Sequence, residues 1–127
     1  KLNDDIEIQK SYRSKREILC QVSKLNQVFL NILDNAVQSL QGSGTIRIET
    51  YDTADACVIV IGDTGIGMDA DTQKKIFEPF FTTKEVGQGT GLGLSISYAI
   101  IQQHRGDITV ASSPDNGTVF TITLPFS

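Results

Sequence analysis

The stretch VIVIGDTGIGM, Val58 to Met68, carries a continuous apolar strand into a turn that holds one carboxylate, Asp63, and two glycines, Gly65 and Gly67. How that turn is read decides the fold. Extended by Asp69 and Ala70 it spells G-x-G-x-x-A, the relaxed dinucleotide fingerprint, which should open a full crossover helix and then a second buried parallel strand bearing an acid. The chain instead continues into a short polar helix over Asp71–Phe77, capped by Asp69 or Asp71, and then into FEPFFTTK. A Walker-type phosphate loop is excluded because no G-x-x-x-x-G-K occurs. The strand therefore belongs to some other α/β arrangement.

Outward from this point the periodicities are distinct. Ser23 to Leu40 is the strongest helix: Leu25, Val28, Phe29, Ile32, Leu33, Ala36, Val37 and Leu40 follow helical spacing, with Ser23 as a start signal and Gly42 as a stop. Strands are expected over Asp5–Gln9, Ile18–Val22, Thr45–Tyr51, Cys57–Ile61, Asp107–Ser112 and Thr118–Leu124. Gly91–Gln103 is a second long helix, Phe80–Thr90 an aperiodic loop, and PDNG a turn joining the last two strands as a hairpin. This order predicts a two-layer α/β sandwich, with a mixed sheet of about five strands covered on one face by helices and its other face open.

Composition narrows the partners. The 127 residues fit one domain, 39% of them are hydrophobic, and the net charge is −4 without a run of Lys or Arg, so nucleic acid is not an expected ligand. No apolar stretch approaches a membrane span of ~20 residues. Lys1 opens neither a signal peptide nor a chain with an initiator Met, and a fragment of a longer protein is expected. Cys20 and Cys57 are too few for a disulfide framework or a zinc site and read as small buried hydrophobes.

Three groups of residues could carry chemistry. On the first helix, Gln27, Asn31, Asn35 and Gln38 fall within an arc of about 80° beside the apolar stripe. They are either an ordinary polar flank or neutral oxygen ligands facing a cavity, able to complete a magnesium shell supplied mostly by phosphates and water. Asp63 either organises its own turn or accepts from the exocyclic amino group of a purine. Guanine presents a carbonyl at the matching ring position, so a carboxylate there favours adenine. Finally, EVGQGTGLGLSIS places Gly87, Gly89, Gly91 and Gly93 on alternate positions before the second long helix. Bare backbone amides at a helix start suit phosphate, Thr90 adds a hydroxyl, and Lys84 upstream is either a cation for a terminal phosphate or a solvated charge. A tight helix start and a hinged lid are the other uses of such glycines.

Taken in order, five blocks resemble the ATP-binding catalytic domain of sensor histidine kinases, in the superfamily that also holds DNA gyrase, heat-shock chaperones and mismatch-repair ATPases. NQVFLNILDNAVQ is similar to the N box, DTGIGM to the first glycine box, FEPFF to the F box, GQGTGLGLS to the second glycine box, and NGTVFTITLP to the closing segment. The resemblance covers roughly Ile18 to Pro125 and implies the Bergerat ATP-binding fold, with a lid at about 80–91. It implies ATP and Mg²⁺ as ligands. Asn35 would hold Mg²⁺, and Asn31 would support the phosphates. Asp63 would bind the adenine amino group beside Gly65. Gly67 would leave room next to the ring, and Met68 would wall the pocket. Phe77, Pro79 and Phe80 would anchor the lid, and Gly87, Gly89, Thr90, Gly91, Leu92 and Gly93 would supply its hinge and phosphate contacts. TTKEVGQGTGLG is similar to the nitrogen-regulation type, in which a lysine stands where Lys84 does.

The departures are informative. Gln38 replaces a frequent lysine, and Arg105 stands where glycine is usual. His104, the one histidine, reads as a surface or packing residue rather than a phosphoacceptor. The superfamily's hydrolases carry a glutamate at the position of Asn31, and an amide cannot take up a proton, which favours phosphoryl transfer over hydrolysis. The resemblance thus implies a cytoplasmic kinase domain, monomeric as a fragment. It would act with Asn31 and Lys84 on a histidine of a separate dimerisation domain, in a homodimeric parent whose membrane attachment is left open. ATP, ADP and, indirectly, a response regulator are its implied partners. The alternatives are a serine kinase of the anti-sigma-factor type and a nucleotide-binding module without transfer.

Overall fold

A computed structural model describes residues 6–12, 22–78 and 93–126. The strands are β1 (Ile6–Tyr12), β2 (Gly44–Asp52), β3 (Ala56–Asp63), β4 (Asp107–Ser112) and β5 (Thr118–Pro125), and the helices are α1 (Val22–Leu40), α2 (Ala70–Lys75) and α3 (Gly93–Gln103). They form one five-stranded sheet of order β1-β2-β3-β5-β4. It is mixed: β1 runs parallel to β2, and every other neighbouring pair is antiparallel.

Register decides which side chains meet the helices, because residues paired directly across antiparallel strands share a face. Ile61 pairs with Ile48 and Phe120, and Phe120 with Val110. One step along, Ile59 pairs with Thr50 and Ile122, and Ile122 with Ile108. These rows form a floor on which α1 lays Leu25, Val28, Ile32, Ala36 and Leu40, and α3 lays Ile100 and Ile101. Strand β5 alternates strictly: Thr118, Phe120, Ile122 and Leu124 are buried, while Val119, Thr121, Thr123 and Pro125 are only half-buried. Thr109 and Ala111 of β4 are exposed, and the Arg47–Glu49 ion pair at 2.9 Å lies on the corresponding phase of β2. On this second face β4 and β2 expose polar or small side chains, but Ala56, Val58 and Gly62 of the central strand are buried, so the face expected to be open is open only in part.

Most elements fall where periodicity places them, and the differences have physical causes. The expected strand Ile18–Val22 is not continued at its last residue, because Val22 opens α1; Ile18–Gln21 and Cys20 lie outside the described residues. Val22 stands at helical spacing three residues before Leu25, so Ser23 is inside the helix rather than capping it. At the other end, Gln41 takes φ 54° and Gly42 φ 108°, which terminates the helix. In α2 the cap is Asp69, whose side chain accepts from Thr72 N at 2.7 Å. Both capping and the nearby Lys75 hold its carboxyl below the ordinary range, capping foremost. Arg105 follows α3 with φ 60°, the left-handed position where glycine is the easier residue. His104, expected as a surface or packing residue, is half-buried at the end of α3 with Nδ1 2.8 Å from Ile100 O. Cys57 is buried in the core, as expected of it.

The helices do not cover the floor evenly. Phe29 and Leu33 of α1, with Ile48, Thr50, Ile59 and Ile61 of the sheet, line an apolar cavity of about 350 Å³ on the β2 side of α1. Ile122 of β5 is fully buried, so Ile122→Ala is expected to lower stability by about 2–5 kcal/mol. Thr121→Ala on the opposite face is expected to cost less than about 1 kcal/mol. Urea denaturation of both variants checks the assignment of faces, and equal losses would contradict it.

Candidate functional site

One row of the floor breaks the apolar pattern. At the end of the sheet nearest the turn after β3, Asp63 pairs with Thr118, and Thr118 with Ser112, all on the phase that elsewhere carries Ile and Phe. Asp63 is only 8% exposed. Its carboxylate accepts from Gly65 N at 2.8 Å and from Ser39 Oγ at 3.3 Å, and Thr118 lies opposite it on β5. Burial pushes the carboxyl above its ordinary range, while the bonds from Gly65, Ser39 and Thr118 work the other way. The result is a carboxylate of fixed orientation at the rim of a core, suited to reading a hydrogen-bond donor.

The turn after Asp63 is held from two sides. On one side Ile66 N donates to Ser39 O at 3.2 Å, and a Cβ on Gly65 would lie 2.5 Å from that same oxygen. Glycine is required at 65 because the loop presses on the last turn of α1. On the other side Asp115 N donates to Ile66 O at 2.7 Å, and Gly67 adopts φ 71°. A Cβ on Gly67 would overlap the carbonyl of Ser113. The space that this glycine vacates is thus filled by the β4–β5 turn, and glycine at 67 is explained without invoking room for a ring. Met68, half-buried, packs against the core, and its N–H donates to Ser112 Oγ at 2.8 Å.

The two asparagines lie one turn apart on α1, and both are half-buried. Asn31 Nδ2 donates to Gly93 O at 3.0 Å and lies 3.2 Å from Ser97 Oγ, so its carboxamide joins α1 to the first turn of α3. Ser97 is fully buried and donates to Gly93 O at 2.9 Å. Gly93 itself is not demanded by packing, since a Cβ there would meet Asn31 at an ordinary 3.7 Å. Gln38 donates to Asp34 at 2.7 Å on the exposed side of the helix. Phe77 stacks against Tyr98 of α3 and edge-on to Phe120 of β5, with centroids 5.4 Å and 6.4 Å away. Asp63, Gly65, Gly67 and Met68 thus lie on or beside the turn after β3, which meets the last turn of α1 at Ser39, while Asn31 joins Gly93 about two turns earlier on α1 and Asn35 stands between the two. Pro79, Phe80, Lys84, Gly87, Gly89, Thr90, Gly91 and Leu92 lie outside the described residues.

Ser39, Ser112, Thr118 and Gln73 belong to the site's framework and were not singled out from the sequence. The signal was available for two of them: Thr118 and Ser112 occupy apolar-phase positions of strands that otherwise point Ile, Phe and Val inward. Ser39 and Gln73 act through loop closure, which periodicity does not encode.

The family of histidine kinase-, DNA gyrase B- and HSP90-like ATPases matches residues 20–127. The signal transduction histidine-protein kinase AtoS of Escherichia coli (strain K12) is 54% identical over 104 residues, 81% of this chain and 17% of that protein. Sporulation kinase E of Bacillus subtilis (strain 168) is 49% identical over 110 residues, 85% of this chain and 14% of that protein. Among solved structures, full-length ShkA in complex with AMPPNP superposes with a TM-score of 0.84 at 28% identity, over 96% of this chain and 26% of that one. The chain thus spans less than a fifth of either curated relative.

Two outcomes are expected from this geometry. Gly65→Ala should lower stability by about 1–3 kcal/mol, because a main-chain carbonyl must shift. Gly93→Ala should be neutral or slightly stabilising, and chemical denaturation separates the two. The raised Asp63 carboxyl also has a sign. The folded chain takes up that proton more readily than the unfolded chain, so its contribution to stability is full below the ordinary carboxylate value and lost as pH rises through the folded value. An asparagine in its place cannot titrate. The stability of the natural chain relative to Asp63→Asn should therefore fall on going from about pH 4 towards pH 7, as read by urea melts. A difference constant across that range would show that burial does not perturb Asp63.

Proposed function

Because the chain belongs to the histidine kinase-, DNA gyrase B- and HSP90-like ATPase family, we propose that it binds Mg-ATP and passes the γ-phosphoryl group to a histidine of a separate phosphoacceptor domain. The buried Asp63 carboxylate, fixed by Ser39 and Gly65, is the observation that carries the reading. With its other edges engaged by the protein, it accepts from the exocyclic amino group of adenine and disfavours guanine, which offers an acceptor there. Gly67 and Met68 form the adjoining wall. The phosphates lie towards the start of α3, whose amides and positive end favour an anion, with Lys84 and the glycines before it completing the contact.

Among the described residues no group of three His, Cys, Asp or Glu side chains is placed to hold a metal ion. A magnesium ion that arrives with the triphosphate needs few protein ligands, and all of them oxygen; the Asn35 carboxamide fits that demand. When bound, the ion neutralises charge on the phosphates. Asn31 holds α1 against the start of α3, and as an amide it cannot act as a base towards water. What this chain supplies is orientation and charge compensation, which is most of what phosphoryl transfer requires. The attacking imidazole forms the P–N bond as the bond to ADP breaks, and its proton leaves to a base on the acceptor side. The names of the curated relatives, a histidine-protein kinase and a sporulation kinase, favour this over the serine-kinase reading. The AMPPNP bound by ShkA supports the nucleotide.

In the parent protein this domain would serve a dimerisation domain directly and a response regulator indirectly, on the cytoplasmic side, as a kinase of the nitrogen-regulation type. No helix among the described residues is long and apolar enough to cross a membrane. Calorimetric titration with ATP, ADP and GTP, with and without Mg²⁺, tests the binding half. Adenine-selective binding that changes with magnesium is expected, and Asn35→Asp should alter the magnesium dependence while sparing adenine selectivity. No binding at millimolar ATP would leave the family's fold without its activity here. With the parent protein, [γ-³²P]ATP should yield an acid-labile, base-stable phosphoprotein; an acid-stable one would favour a hydroxyl acceptor.

A further inference from the structure

Among the described residues strand β4 is an edge of the sheet, so its outward main-chain groups need partners that no described strand supplies. At Ser112 the partner is a side chain. Gln73 of α2 donates from Nε2 to Ser112 O at 2.7 Å and accepts from Ser112 N at Oε1, 3.1 Å away. A carboxamide carries a donor and an acceptor at the spacing of a peptide group, and here it completes the pair of bonds that another strand would make. The same Nε2 lies 3.2 Å from Met68 O. Met68 is therefore gripped through both of its main-chain polar groups, its N–H by Ser112 Oγ at 2.8 Å and its carbonyl by Gln73.

The network continues to Asp63. The Ser112 hydroxyl has one hydrogen, and Gly117 O stands 2.7 Å from it as acceptor. Thr118 Oγ1, 2.9 Å away, then donates to Ser112, and Thr118 pairs with Asp63 across the β3–β5 ladder. Gln73, Ser112, Thr118 and Asp63 form one connected path across the end of the sheet, and no buried side-chain polar atom among the described residues lacks a partner. From this connection we propose that Gln73 is a positioning residue for base recognition. It does not touch the base. It sets the spacing between the Met68 wall and the Asp63 carboxylate, and thereby the preference for adenine over guanine. The inference rests on the reading of Asp63 as the adenine acceptor.

Two variants test it. Gln73→Leu keeps the volume and removes every bond; Gln73→Glu keeps the acceptor for Ser112 N and loses the donor to Ser112 O and Met68 O. Affinities of the 127-residue chain for ATP and GTP are measured by competition against a fluorescent ATP analogue, alongside urea melts. Loosening the spacing is expected to weaken ATP by about tenfold in Gln73→Leu while GTP changes little, so that the ATP-to-GTP ratio falls by the same factor. Gln73→Glu should lie between Gln73→Leu and the natural chain. A general loss of folded protein would lower both affinities together, so an unchanged ratio in a weakened variant would overturn the inference. So would unchanged ATP affinity. If Gln73→Leu does not fold, the ratio in Gln73→Glu decides the matter by the same criterion. A natural chain with no adenine preference would instead remove the Asp63 reading beneath it, an outcome seen before either variant is made.

Discussion

A carboxylate at the end of an apolar sheet face must be satisfied or it would unmake the strand that carries it. Much of the local architecture answers that demand at Asp63. The last turn of α1 brings up the Ser39 hydroxyl and the turn after β3 folds back to offer Gly65 N–H, while β5 pairs with the same residue through Thr118. These contacts come from different elements, so fixing one group ties together α1, β3 and β5. The glycine at 65 is part of the same solution, since the close approach of the loop to Ser39 leaves no room for a side chain.

Function grows from the edge of that arrangement. A carboxyl raised by burial but oriented by the Ser39 and Gly65 donors is, on the proposed reading, the group that selects a ligand by its hydrogen-bond donor. The other half of the site is organised by Asn31, which ties α1 to the start of α3 through Gly93 and Ser97. On the proposed reading, base and phosphate recognition would both be built on one helix, with Ser39 and Asn31 about two turns apart. An amide at 31, already committed to holding α3, suits a domain that positions a phosphoryl group rather than one that activates water.

The fold was legible because its strongest signals are long-period ones. The stripe from Leu25 to Leu40 and the alternation through Thr118–Leu124 survive any error of a residue at their ends, whereas the start of α1 was missed by a single position at Val22. The site was legible only in part. Asp63 and the two asparagines stand out as polar groups placed against apolar runs, and the five ordered blocks gave them roles. The role implied for Gly67 was different: its missing side chain makes way for the Ser113 carbonyl. Gln73 could not be seen at all, because what distinguishes it from any other exposed-helix glutamine is its pairing with Ser112, 39 residues away. Contacts of that kind are set by how the β4–β5 turn folds over the loop, not by local pattern.

The central claim is that Asp63 reads the amino group of adenine. Its most direct test compares the affinity of this chain for ATP with its affinity for purine riboside triphosphate, which has the same ring and phosphates and no exocyclic amino group. Removing that donor leaves a buried carboxylate without its partner, and a preference for ATP of at least about tenfold is predicted. Equal affinities would contradict the account, and would mean that Asp63 holds its own loop and nothing more.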